Sequence, residues 1–500
     1  MTKFNKPKRT AGKTVNYEGA PAYKYPPKLE LALRCATHFF EDTFYAPKHE
    51  ITEAIKNLVL EVGAKDPEFV LKLAAWLRHE LGMRTAPQFL LAVMAGHPAH
   101  ECAPKPWVAK WGPVIMARAD EPAEVLAIYK EVYGGPIPMA LRRAIAKRLQ
   151  ALTPYEIIKY RGKTREWSLV DVLNVIHPKP KDAAQAAAFK WVVTGEIGED
   201  TPEEIKAHVE GKATTWESLI SAYGSNHETW MRAAEIMPPM AYIRNLCNLL
   251  KHNVPIDREK ILAAARHPKI MPFRFLAALA SVQHLEGENI SLAAKQEAED
   301  ALIDAIEIAT DNVPSLGRVG VLVDTSGSML GFLSARSMGS RVDVARLFAA
   351  AAFKKAQSGV IISYGTGAQQ CKVSRSSRTY DIFKQIYVDG GGTNLAEAIE
   401  KVAAYANQLD YVVILTDEQS WLPGGWGYAG EAIKKLLGLN PELRVVNVCL
   451  APYGTSDLPQ NPRILDIGGF NDNIFKIILV WDKLVDVIEN WEGPEGPALE

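Results

Sequence analysis

The sequence predicts an α-helical solenoid followed by a doubly wound α/β domain, and three observations carry that prediction. Five hundred residues exceed what one hydrophobic core normally holds, so two or more domains are expected. From about residue 27 to 310 helix signals recur with almost no two-residue alternation. Beyond about Pro314, short β-branched apolar runs alternate with helical patterns, the mark of a parallel sheet wrapped by helices. The change falls near 312–315 as a shift in composition, not a long linker. Three parts are therefore expected: a basic arm over 1–14, helical repeats over 15–313, and an α/β domain over 314–500.

Composition narrows the class. The chain is 48% hydrophobic and 23% charged, as in an ordinary soluble protein. No apolar run reaches the roughly 18 residues a membrane span requires. The start, MTKFNKPKRTAGK, is positive but has no apolar core after it, unlike a secretory signal. Cys35, Cys102, Cys247, Cys371 and Cys449 lie far apart with no C-x-x-C pair. Reduced thiols and a cytoplasmic location are expected, and a disulfide framework or zinc site is not. The formal net charge of −1 masks an asymmetry, because the positive excess lies in the helical part. Lys3, Lys6, Lys8, Arg9 and Lys13 make a solvated arm able to touch an anionic partner.

In the helical part, Asp66-Pro67-Glu68 reads as a helix start, with Asp66 as cap and Pro67 in the first turn. Phe69, Leu73, Leu77 and Leu81 then recur every four residues, and Gly82 can end the run. Thr153 to Glu156 and Thr201 to Glu204 both read as capping boxes. Short helices joined by short turns suggest stacked helical pairs of HEAT type, with no clean period. Beyond them, strands are expected over 319–324, 360–364, 370–373, 411–416, 443–450 and 473–480. Helices are expected over 342–357, 395–407, 429–437 and 482–491.

The stretch RVGVLVDTSGSML, beginning at Arg318, carries the chemistry of that domain. Val319 to Val323 reads as a buried strand, and Asp324, Ser326 and Ser328 follow at its carboxyl end. Ligands of open α/β sheets bind in that crevice. Gly390-Gly391-Gly392-Thr393 lets the backbone approach and offers a hydroxyl, and a second strand ends in Asp417. Hard oxygen donors of this kind suit one divalent cation, magnesium first, and not zinc. The order of the three pieces resembles the metal-ion-dependent adhesion site of von Willebrand factor A domains. Glu418 stands where many A domains carry glycine.

Residues 139–181 are strongly basic. The helix from Met139 places Leu141, Ile145, Leu149 and Leu152 on its buried face and Arg143 and Lys147 opposite, with Arg142 and Arg148 flanking. Lys159, Arg161, Lys163 and Arg165 follow, then His177, Lys179 and Lys181. Such clusters bind phosphate backbones through charge, although a solvated helix face looks the same in sequence.

Several ordered motifs make the chain similar to the TROVE-domain family of Ro ribonucleoproteins. They are YEGAPAYKYPPKLELALR with THFFEDTFYAP (17–47), KYRGKTREWSLVDVLNVIHPKP (159–180), MPPMAYIRNL (237–246), KIMPFRFLAAL (269–279) and VLVDTSGSM. The resemblance implies a ring of helical repeats closed by an A domain. It implies small noncoding Y RNA on an outer basic surface and single-stranded 3′ ends of misfolded RNA in a central hole. It also implies, in bacteria, a tether to exoribonucleases. By motif, Lys159, Arg165 and His177 match the RNA face. This segment is one residue longer than the family pattern, so Lys163 competes with Arg165. Arg244 and Lys269 match the pore. The reading is a monomeric RNA-binding component without chemistry of its own. Its rivals are a metal-dependent protein-interaction module and a nuclease using Asp324, Asp417 and metal. No Walker loop, H-E-x-x-H motif or serine–histidine pairing is present in the sequence.

Overall fold

The structure is a computed structural model. It describes residues 12–15, 21–24, 26–37, 48–161, 167–210, 215–287, 290–332, 339–417, 427–450, 458, 461–468, 470 and 473–494. The chain divides by contacts into two units. One comprises Pro27–Ala36, His49–Met237 and Asp482–Glu500; the other comprises Met1–Pro26, Thr37–Lys48 and Pro238–Trp481. The division therefore lies elsewhere than the composition shift near 312–315.

The first unit is helical. Asp66 caps Pro67–His79, its side chain accepting the Phe69 N–H. Pro67–His79 packs on Thr85–Ala95 and on Pro106–Ile115, which packs in turn on Met139–Gln150. Thr85–Ala95 packs on Glu121–Tyr133. Helices thus stack two apart in the chain, as paired layers of a solenoid do. Gly112 permits one close approach: a Cβ there would lie 2.8 Å from the Ala144 Cβ. A buried ion pair, Arg78 to Glu121 at 3.0 Å, joins the layers, and burial pushes the Glu121 carboxyl up against the pull of Arg78. Thr153 and Glu156 form the expected capping box. The Thr201 box does not form. That helix, Glu203–Val209, starts from Pro202 without a side-chain cap, and the Thr201 hydroxyl instead accepts the Gly198 N–H at 2.9 Å.

The last helix, Leu484–Asn490, belongs to this unit and packs on Pro67–His79. Lys28 reaches both Asp66 and Glu489 at 2.6 Å. Trp491 stacks on Trp111 with centroids 6.0 Å apart, and its indole N–H donates to Glu80 Oε1 at 3.1 Å.

The second unit holds a hairpin, β1 (Gly12–Val15) against β2 (Pro21–Lys24). Residues 12–14 are thus in a strand, not in a free arm; the rest of the expected arm lies outside the described residues. A six-stranded sheet follows, with β3 (Arg318–Asp324), β4 (Ser358–Tyr364), β5 (Ala368–Gln370), β6 (Tyr411–Thr416), β7 (Arg444–Cys449) and β8 (Ile464–Gly468). Their order is β5-β4-β3-β6-β7-β8, parallel except for β5. The strand expected over 370–373 is displaced to this short antiparallel edge. The strand expected over 473–480 is instead the helix Ile474–Val480, and β8 takes the fifth parallel position. Arg341–Lys355 and Ile474–Val480 meet through Phe348 and Phe475, stacked at 4.2 Å. Leu395–Ala403 contributes Leu395, Ile399 and Val402 to the core over Leu322, Ile362 and Ile414.

The preceding helices continue this core, which explains the division. The Thr310 and Thr379 hydroxyls hydrogen-bond at 3.0 Å, Glu307 accepts the Thr379 N–H at 2.7 Å, and Phe273 packs edge-on against Phe470 at 4.6 Å.

Candidate metal centre and nucleic-acid interface

After β3 the chain crosses to β4, and after β6 it crosses the other way to β7. The carboxyl ends of β3 and β6 therefore form the topological switch point, where doubly wound sheets bind ligands. Asp324 ends β3 and is fully buried. Its Oδ1 accepts the Ser326 N–H at 2.9 Å and its Oδ2 accepts the Thr416 hydroxyl at 2.8 Å. The Ser326 and Ser328 hydroxyls lie 3.2 Å apart. The Gly327 N–H donates to Gly391 O at 3.0 Å and the Gly390 N–H to Thr325 O at 2.8 Å. Those two bonds pin the glycine loop to the serine loop. A Cβ on Gly391 would fall 2.2 Å from Thr366 Oγ1, so only glycine fits there. Thr393 is buried next to Asn394, whose side chain caps Leu395–Ala403.

Asp417 follows β6 and is also fully buried. Burial, with the Asp417 charge adding to it against the Ser326 and Thr416 hydrogen bonds, pushes the Asp324 carboxyl up to about 7. Two buried carboxylates beside three hydroxyls form a hard-oxygen donor set that fits magnesium, manganese or calcium. Among the described residues no group of three or more His, Cys, Asp or Glu side chains gathers to hold a metal. An ion here would therefore rest on hydroxyls and water as well as on Asp324 and Asp417. Glu418 lies outside the described residues.

The basic segment keeps its predicted face only in part. Leu141, Ile145, Leu149 and Leu152 are buried, while Arg143 and Lys147 are exposed. Arg142 is a correction, because its guanidinium donates to Val175 O at 2.7 Å and packs one element on another. Arg148 is buried, bonded to Ala117 O and Glu156. The Gln150 side chain donates to Lys179 O at 2.7 Å, which sets the Met139–Gln150 helix beside the loop carrying exposed His177 and Lys179. His177 ends Leu169–Ile176 in the left-handed region, at φ 51°. Lys159 is exposed and lies over the Tyr155 and Tyr160 rings. Burial lowers its ammonium, but Tyr160 and Tyr155 outweigh that and hold it raised. Arg161 stacks over Trp191 at 4.4 Å. Lys163 and Arg165 lie outside the described residues. Arg244 and Lys269 are exposed, so Arg244 is not a buried packing residue.

Against families of known proteins, residues 205–375 match the TROVE domain and residues 318–481 match the Ro60 vWA domain. Over these stretches the chain is similar to the TROVE and Ro60 vWA domain families. The "RNA-binding protein RO60" of Deinococcus radiodurans is 24% identical over 478 residues, covering 86% of this chain and 87% of that protein. "Telomerase protein component 1" of Rattus norvegicus is 24% identical over 347 residues, or 53% of this chain. This match spans only 13% of the telomerase protein. The crystal structure of the Deinococcus radiodurans RO (RSR) protein matches with a TM-score of 0.71 at 21% identity, covering 91% of this chain and 99% of that one. It shares the fold predicted from sequence: a helical region followed by an A-type mixed sheet. The TROVE match runs across the start of β3, as does the compact unit that joins 238–313 to the sheet.

Sequence reasoning missed one residue at this candidate site. Arg341 starts the helix after the serine loop, and its Nη1 lies 3.2 Å from Ser328 O and 3.6 Å from Asp417 Oδ2. Thirteen residues separate it from Ser328. Only the helix start at Ser340, itself a capping box, brings it back. The S-x-x-D pattern at Ser340 and Asp343 could have placed that helix start and, with it, Arg341.

Proposed function

We propose that this protein is the RNA-binding component of a ribonucleoprotein. It holds a small structured noncoding RNA, of the Y type, on the face that carries Arg143, Lys147, Lys159, Arg161, His177 and Lys179. One observation carries the reading: Arg143, Lys147, Lys159, His177 and Lys179 face solvent, with Arg161 half-buried beside them, while the apolar sides of the same helices are buried. A helix used only for packing has no need of that concentration of charge. The names of its relatives support RNA as the partner. A-form RNA hides its major-groove edges, so such a face reads shape and phosphates.

Arg244 and Lys269 serve a second contact, to single-stranded 3′ ends of misfolded RNA. Asp324, Ser326, Ser328, Thr393 and Asp417 hold one magnesium ion, with water completing its shell. The ion marks a docking point for an acidic partner group, such as a tethered exoribonuclease would offer, and the protein performs no catalysis. The protein acts in the cytoplasm as a monomer. Among the described residues no helix is long and apolar enough to cross a membrane, and none of the five cysteines is in a disulfide.

The test is a salt series with a structured small RNA. Replacing Lys147 and Lys159 by alanine weakens binding and flattens the log-affinity against log-salt slope by roughly one unit per lost phosphate contact, about two in all. An unchanged slope refutes the face. RNA that copurifies and is cut after magnesium is added favours the nuclease reading instead.

A further inference from the structure

We infer that the basic face contains a pocket for one unstacked RNA base, between Lys159, Arg161, Val193 and His208. This rests on the RNA-binding reading above and adds a ligand class to it. The cavity has a volume of about 570 Å³, and Ile158, Val170, Val192 and Thr194 complete its lining. That is ample for a nucleobase, and its chemistry is mixed in the way a base requires, with apolar walls and a few polar groups. Val193 is 42% exposed at this site, an apolar side chain set among cations.

Arg161 is pre-positioned. Its guanidinium lies 4.4 Å over the Trp191 ring, and its Nε donates to Val192 O at 3.4 Å. One face of the planar cation covers the indole, and the other can stack a base. His208 meets Trp191 edge-on at 6.0 Å. Burial first, and then the charge of Arg161, lowers the His208 imidazole below its ordinary value. A neutral ring offers a donor and an acceptor to a base edge. Its Nδ1 is buried with no hydrogen-bond partner among the described residues. Lys159, exposed at the margin, is placed to meet the flanking phosphate. Thr194 contributes only wall, because its hydroxyl donates to Lys190 O and accepts the Glu196 N–H.

The experiment compares two probes on the full-length protein: a blunt RNA duplex, and the same duplex with one unpaired adenosine. Wild type binds the second roughly 10-fold more tightly, within the range of a single base stack. Val193→Trp fills the cavity from an exposed position and removes that preference while leaving duplex affinity unchanged. His208→Ala reduces the preference as a second, independent variant. Equal wild-type affinity for both probes overturns the pocket and leaves the basic face standing. A preference that survives in both variants also overturns it. Failure of wild type to bind either probe overturns the RNA reading and the pocket with it.

Discussion

Replacing Asp324 by asparagine should stabilise the ion-free protein, the opposite of what replacing a hydrogen-bonded buried group usually does. Asp324 is fully buried, and its carboxyl is pushed from 3.8 up to about 7 in the folded state. Folded protein therefore binds a proton more readily than unfolded chain, and stability falls as pH rises between about 4 and about 7. Three pH units at about 1.4 kcal/mol each put the penalty for ionised Asp324 near 4 kcal/mol at about pH 8, and near 2 kcal/mol at about pH 5.5. An asparagine can still accept the Ser326 N–H and can donate to Thr416, so little else is lost. Urea denaturation of both proteins in EDTA, at both pH values, reads the difference directly. The asparagine variant should unfold at higher urea than wild type, with the larger gap at high pH. Magnesium should narrow the gap at about pH 8 and reverse the order at about pH 5.5. At 100 times its dissociation constant it adds about 2.7 kcal/mol to wild type and nothing to the variant. A variant less stable than wild type in EDTA at high pH would refute the buried-charge argument. A variant that gains as much as wild type from magnesium would refute Asp324 as a ligand.

Other outcomes follow from the same geometry. Arg341→Gln removes a cation 3.6 Å from Asp417, so manganese should bind several-fold more tightly by calorimetry while the EDTA form loses stability. Glu121→Ala leaves Arg78 buried without its partner and should cost about 3–5 kcal/mol in urea denaturation. Trp491→Ala removes the stack on Trp111 and the bond to Glu80; a loss of about 2–4 kcal/mol is expected, and faster proteolysis of the helical unit would report it.

The strands that end at Asp324 and Asp417 were legible because β3 and β6 are apolar runs whose pleats are buried on both faces, with turn residues at their ends. Ile474–Val480 was misread for the same reason. An unbroken apolar run has no alternation to separate strand from helix, and β8, only five residues with Asp466 inside it, gave a weaker signal. The residues gathered at the switch point could be read because each ends a strand or sits in a glycine or serine turn. Arg341 could not, since its place depends on where a helix begins after a loop. Charge counting found the basic segment but could not tell Arg143, which faces water, from Arg142 and Arg148, whose guanidinium groups satisfy carbonyls of neighbouring elements. Trp191 and His208 lie too far along the chain from Lys159 for any local pattern to group them.

Both ends of the helical unit are held together by Lys28 and Glu489, and the segment 238–481 is enclosed between them. A nascent chain thus emerges with this unit incomplete until its last residues are made. Domains usually fold in order as synthesis proceeds; here the helical unit, begun at Pro27, takes in residues made after the last strand of the sheet, and the α/β sheet can close before it. A premature stop a few residues short of Trp491 would spare the sheet and its switch point and strike the helices that precede it by more than three hundred residues, so losses around Trp491 should read out as defects of the helical unit.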